Sequence, residues 1–326
     1  MKPPLFTLDE LRSAQDVVYA QMSPTPQIQW PQLSQVLGAE VVVKHENHAP
    51  TGAFKVRGGI TLMDWLGRSQ PDARGIITAT RGNHGQSQAR AAAARGLVAK
   101  IYVPHGNSPE KNAAMRAYGA EVIEHGADFD EARAEAMRVA EAERLFVVPP
   151  FHRELLRGVA TYGLELFTAV PDLDTVYVPI GCGSGICGTI AARDALGLKT
   201  RIVGVVSQNA PCVKLSVEAG HLVETNSART FADGVAVRVP VQAAYDIYAP
   251  GADRIIAVAD DDIAAAIRLC FKTIHNAAEG AGAAALAGLM QEQDRMRGRK
   301  VGVILSGGNI DSAWFAEVLE GATPQV

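Results

Sequence analysis

A lysine set between two apolar residues and just ahead of two glycines is the first feature of this sequence that could do chemistry: Thr51-Gly52-Ala53-Phe54-Lys55-Val56-Arg57-Gly58-Gly59. Such a lysine can simply snorkel from an apolar stretch to the surface. Desolvated, it has a lowered pKa and condenses with carbonyl groups to form Schiff bases. Its neighbours in the fold decide between the two readings. Three glycine-rich loops follow apolar runs that read as strands, and in open parallel sheets ligands bind at the carboxyl ends of strands.

The first loop is Gly181-Cys182-Gly183-Ser184-Gly185, after a strand expected at 175–180. Glycines let successive backbone N–H groups converge on an anion, and a helix N-terminus adds partial positive charge. Phosphate is the expected guest. Residues 183–188 also spell GxGxxG, the dinucleotide pattern, which expects an acid about 20 residues on, at the end of the next strand. That strand runs into Ser207-Gln208-Asn209 with no acid, so phosphate binding is the stronger reading and a purely structural turn the third. The second loop, Thr80-Arg81-Gly82-Asn83-His84-Gly85, follows a strand at 75–80. Its amides suit a carboxylate, and Asn83 can donate to a phenolate or accept from a protonated ring oxygen. Alone it could equally be a plain turn, and His84 is more often structural than catalytic. The third loop, Ser306-Gly307-Gly308-Asn309, is by itself an unremarkable turn.

The elements that must carry these loops alternate. Strands are expected at 75–80, 99–104, 121–123 and 145–148, with helices at 86–95, from Ser108-Pro109-Glu110 to about 119, and at 130–144. Ser108 is a natural helix cap, Pro109 suits the first turn, and Glu110 faces the positive end of the dipole. After Pro149-Pro150 a second series follows: strands 175–180, 201–206 and 300–305, with helices from about 186, over 261–275 and from 283. This alternation implies parallel sheets covered on both faces, in two closely packed α/β units with a cleft between them as the natural site.

The 326 residues are 48% hydrophobic and 20% charged with a net charge of −4, enough for two such units with substantial cores. Basic residues are scattered among acidic ones, which argues against nucleic acid as a partner. Cys182, Cys187, Cys212 and Cys270 form no metal-binding spacing and read as reduced thiols. No signal peptide or membrane-spanning run is evident, so a cytoplasmic protein with neither membrane nor metal partner is expected.

The four pieces, in this order, resemble the fold-type II pyridoxal-phosphate (PLP) enzymes of the threonine dehydratase and serine racemase group. The resemblance covers nearly the whole chain. It includes Thr25-Pro26, Lys44-His45-Glu46-Asn47, Thr161-Tyr162-Gly163-Leu164-Glu165, Ala232-Asp233-Gly234 and Glu279 in an Ala/Gly-rich stretch. It implies two doubly wound parallel-sheet domains with the site in the cleft between them: a large PLP-binding domain of residues 1–47 and 151–326, and a small substrate-loop domain of residues 48–150. By the same resemblance Lys55 holds PLP as a Schiff base and is the catalytic lysine, Phe54 packs near the cofactor, and Asn83 bonds the ring's phenolic oxygen. Gly181, Cys182, Gly183, Ser184 and Gly185 cradle the phosphate. Glu279 lies beside the cofactor, and Ser306 faces the pyridine nitrogen. Thr80, Arg81, Gly82, His84, Gly85 and Asp233 bind the amino-acid substrate. A hydroxyl at Ser306 cannot protonate the ring as an aspartate would, which favours prompt β-elimination over transamination. A homodimer is likewise implied.

The implied reaction is loss of water and ammonia from a β-hydroxy amino acid of threonine, serine, 3-hydroxyaspartate or phenylserine type. Lys55 acts as general base, and cofactor phosphate or water protonates the leaving hydroxyl. A β-replacement synthase or a racemase of the same fold is the alternative. Several departures from the family stand out. Ala53 replaces a serine, Cys182 and Ser184 replace glycines, and Val206 and Cys212 stand where some members place cation-binding acids. The sequence looks like a form without the C-terminal regulatory domain of feedback-inhibited members. Arg81 falls where racemases and many dehydratases have a serine that acts on the second face of Cα. Arginine is no base at neutral pH, so racemisation is expected to be poor. Its guanidinium can instead grip a carboxylate, the α-carboxylate or a second one, unless it points away into a structural ion pair.

Overall fold

The computed structural model describes residues 4–326. The strands, in chain order, are β1 (Gln27–Gln29), β2 (Glu40–His45), β3 (Gly75–Ala79), β4 (Val98–Val103), β5 (Glu121–Glu124), β6 (Phe146–Val147), β7 (Thr175–Pro179), β8 (Arg201–Ser207), β9 (Arg254–Val258) and β10 (Lys300–Leu305). They form two sheets, a six-stranded one in the order β1-β2-β10-β7-β8-β9 and a four-stranded one in the order β5-β4-β3-β6. All pairings are parallel except β1 with β2. The runs read as buried strands are buried: every residue of β7, and Ile76 and Ile77 of β3. Helices cover both faces, as parallel strands require.

Both sheets reverse their winding where the glycine loops stand. In the larger sheet the order turns between β7 and β10, and the loops at 181–185 and 306–309 leave those two strands. In the smaller it turns between β3 and β6, and the loop at 80–85 leaves β3. A crevice opens at such a reversal because the connections on either side go to opposite faces.

Several boundaries differ from expectation. The helix expected at 86–95 spans Asn83–Ala93, and the one expected from about 186 spans Ser184–Ala195. Asn83, His84, Gly85, Ser184 and Gly185 therefore belong to first helical turns; glycine and asparagine made those turns look like loop. Lys55 likewise opens a helix, Lys55–Ser69. The Ser108 cap is as read: its hydroxyl accepts from Lys111 N, and Pro109 opens the helix Pro109–Ala117. No helix among the described residues is long and apolar enough to cross a membrane.

Candidate active site

The segment before Lys55 is pinned to the end of β10. Phe54 N donates to Ser306 O at 3.0 Å, Gly308 N donates to Gly52 O at 2.9 Å, and Ala53 bridges Gly307. The Ser87 hydroxyl, from the neighbouring helix, donates to Lys55 O at 2.6 Å. Lys55 thus starts its helix from a fixed point, half-buried on the cleft wall. Its Nζ lies 3.1 Å from Ser184 Oγ and 5.0 Å from the Phe54 ring centroid. Burial lowers its pKa, with Cys182 and Glu279 pulling the other way. A lysine so placed gives up its proton more readily than one in water, which a nucleophilic or basic amine needs.

The loop at 181–185 has the shape of an anion cradle. Gly181 is packed so closely that a methyl group there would stand 2.2 Å from Gly234 O. Gly183 takes a left-handed conformation, φ 96°, that side chains rarely adopt. The helix Ser184–Ala195 begins here, with its first amides free of intrahelical partners. Beneath it Tyr162 donates to Gly185 O at 2.7 Å and meets the Phe54 ring edge-on at 6.0 Å. The Cys182 side chain is half-buried near Lys55, and burial raises its pKa.

Across the cleft, Asn83 Nδ2 donates to Glu279 Oε1 at 2.5 Å, and its Oδ1 accepts from Asn309 Nδ2 at 2.8 Å. A primary amide carries two N–H donors, so one remains for a ring oxygen. Thr80 Oγ1 accepts from Gly82 N at 3.1 Å, so that amide already has a partner within the loop. The first-turn amides of Asn83, His84 and Gly85 have no intrahelical acceptor and are available to a carboxylate. His84 is held neutral: burial, then the nearby Lys55, push its pKa down to about 3, and its Nε2 has no partner among the described residues. Ser306 makes one long bond, 3.4 Å, to Ala281 O. Arg81 is exposed and forms no ion pair among the described residues, so the structural ion pair weighed for it is not found. Asp233 is paired with Lys111, a residue the sequence did not mark because it reads as an ordinary polar helix position. Asn309 was visible as part of a motif and not as a partner of Asn83.

Glu279 is 3% exposed and its Oε2 has no partner. Burial raises its pKa from 4.5 to about 7, with Lys111 lowering and Asp233 raising it. An acid whose pKa is higher in the folded state contributes its stability in full below the unfolded value of 4.5. It loses that contribution as pH climbs through about 7. Glu279→Gln keeps an acceptor for Asn83 and removes the charge. Its urea midpoint should match the parent near pH 4.5 and exceed it at pH 8; an equal or lower midpoint at pH 8 would contradict this.

An unpartnered buried carboxyl oxygen, an anion cradle at a helix start and a desolvated lysine beside it fit a phosphorylated aromatic aldehyde. The comparisons agree. Residues 18–307 match the family model described as pyridoxal-phosphate dependent enzyme, and the chain belongs to that family. Among its relatives, the L-threonine ammonia-lyase of Thermotoga maritima is 33% identical over 308 residues, 94% of this chain and 76% of that protein. The chain spans 58% of the length of longer relatives that match at 33–35% identity. The processed form of threonine deaminase isoform 2 from Solanum lycopersicum superposes with a TM-score of 0.88 at 32% identity, covering 98% of this chain and 95% of that one. Maize serine racemase superposes with a TM-score of 0.89 at 28% identity, covering 96% and 97%.

Proposed function

We propose that the protein is a PLP-dependent ammonia-lyase that converts a β-hydroxy-α-amino acid to an α-keto acid and ammonia. The observation that carries this reading is Lys55, desolvated and 3.1 Å from Ser184 at the mouth of the anion cradle. Relatives named threonine ammonia-lyase and threonine deaminase support the reaction class. Bound PLP supplies an electron sink that acidifies the substrate's Cα proton. Lys55 would carry the cofactor and, once displaced by substrate, take that proton on its amine as general base. The amides of 181–185 and the Ser184 hydroxyl would hold the phosphate. Asn83, steadied by Glu279 and Asn309, would hold the phenolic oxygen, and Ser306 would sit at the pyridine nitrogen. The free amides of 83–85 would orient the α-carboxylate. In this reading residues 48–150 form the small substrate-loop domain and 1–47 with 151–326 the large one. The working state is a cytoplasmic homodimer: the location is supported by the unpaired cysteines and the dimer by the resemblance alone.

Racemisation is the weaker reading, because Arg81 offers no base on the second face. Its exposed, unpaired guanidinium is instead suited to a substrate carboxylate. Charge-assisted hydrogen bonds contribute about 1.5–3 kcal/mol, or about 10- to 100-fold in kcat/KM. The test is keto acid and ammonia release from L-threonine, L-serine, both 3-hydroxyaspartate diastereomers and phenylserine, before and after Arg81→Ser. An equal loss on every substrate assigns Arg81 to the α-carboxylate. A loss concentrated on 3-hydroxyaspartate assigns it to a second carboxylate. Unchanged rates on all five would remove Arg81 from the site, and keto acid from none would overturn the ammonia-lyase reading.

A further inference from the structure

The helix Pro109–Ala117 lies between β4 and β5 of the smaller sheet, yet its first turn reaches the other unit three times. Ser108 Oγ donates to Asp311 Oδ1 at 2.5 Å, Glu110 Oε1 accepts from Ser312 N at 3.0 Å, and Lys111 pairs with Asp233. The third link differs in kind from the other two. The Lys111 side chain is 8% exposed and that of Asp233 23%. An ammonium this far out of water is costly unless paired, so Lys111 is not there for solubility. The charged groups that face it are all acids: Asp233, Glu279 and Asp311. Its methylene chain meanwhile lies against the carboxylate loop, where a methyl on Gly82 would stand 2.8 Å from Lys111 Cδ. One side chain therefore touches the substrate loop with its stem and the opposite wall of the cleft with its head.

We infer that Lys111 is a positioning residue: by bridging to Asp233 across the cleft it clamps the 80–85 loop against the wall that carries Glu279. The inference rests on the reading of that loop as the seat of the substrate carboxylate. It gives Asp233 the task of anchoring the clamp in place of touching substrate. The same ammonium partly neutralises Asp233 and Glu279, which would otherwise repel each other across the gap. Without the clamp, substrate binding itself must order the loop, and that ordering cost weakens the grip on the carboxylate.

The test compares Lys111→Met, Lys111→Arg, Asp233→Asn and the double variant Lys111→Met/Asp233→Asn, all loaded with PLP. Hydrogen exchange of amides 82–86 without substrate is read beside KM, kcat and the melting temperature. Lys111→Met and Asp233→Asn should each speed exchange at 82–86 selectively and raise KM by about tenfold or more, with kcat changing less. The double variant should add little to either single one, since both remove the same link. Lys111→Arg should restore most of the loss. Unchanged exchange at 82–86 overturns the inference. So does protection lost evenly over the whole chain with a matching fall in melting temperature, which marks a merely structural residue. Asp233, the more exposed of the pair, provides a second variant if Lys111→Met does not fold. Exchange at 82–86 reads the clamp even if no tested amino acid proves to be a substrate, so the two failures are distinguishable.

Discussion

Lys55→Ala is expected to abolish turnover and to leave PLP without its covalent link to the protein. Two losses combine in this one change. The covalent anchor disappears, and with it the shift in cofactor absorption that marks attachment to a lysine. The amine that would take the Cα proton disappears too, and a positioned general base is worth about 100- to 10,000-fold. Neither His84 nor Lys111 replaces it. His84 is neutral and lies near Lys55, but its pKa near 3 makes it a feeble base. Lys111 is held protonated: burial opposes the charge, but Asp233 and Glu279 outweigh it, and its pKa is raised. The check is ammonia release together with the visible spectrum. A variant that keeps native absorption and measurable keto-acid production would remove Lys55 from the centre of the account.

Arg57→Met should be the most damaging single change outside the cleft. Arg57 is fully buried two residues beyond Lys55. Its guanidinium reaches Glu46 at 2.7 and 3.0 Å, Glu165 at 2.6 and 2.9 Å, and the hydroxyls of Thr161 and Thr25 at 3.0 and 3.1 Å. Lys44, also buried, supplies the second positive charge through Glu165 at 2.5 Å. Two carboxylates and two cations balance. Removing the guanidinium leaves one negative charge buried without a partner, which costs about 3–5 kcal/mol. Net stabilities are only about 5–15 kcal/mol, so much of the reserve goes. The network joins the helix that begins at Lys55 to β2 and to the helix Arg153–Ala169, so its loss should loosen Lys55 as well. Arg57→Lys keeps the charge but not the planar fork, and should recover part of the stability. Urea unfolding decides it: a loss below about 1 kcal/mol for Arg57→Met would show that the network is not holding this helix.

Much of this architecture was legible in the residues because parallel strands buried on both faces have to be apolar runs. The runs at 75–80, 175–180 and 300–305 have no other reading, and the glycine loops after them lie at the two sheet reversals. What escaped detection has physical causes. β2 carries Lys44 and His45, which look exposed until their partners are known. β1 is three residues with two glutamines. The starts of the helices at Asn83 and Ser184 hide in glycine-rich sequence that propensity reads as loop. The links that tie the site together are distant in sequence: Arg57 to Glu165 spans 108 residues and Lys111 to Asp233 spans 122. Local pattern carries no trace of such a pair. Ser184 shows both sides of this. Its place in the cradle was readable from spacing, while its contact with Lys55 needed the fold.

The most direct measurement is borohydride reduction of the PLP-loaded protein followed by peptide mass mapping. The expected result is one phosphopyridoxyl group, on the peptide containing Lys55. The label on Lys44, Lys111 or any other lysine, or on none, would contradict the assignment of the cofactor to this cleft.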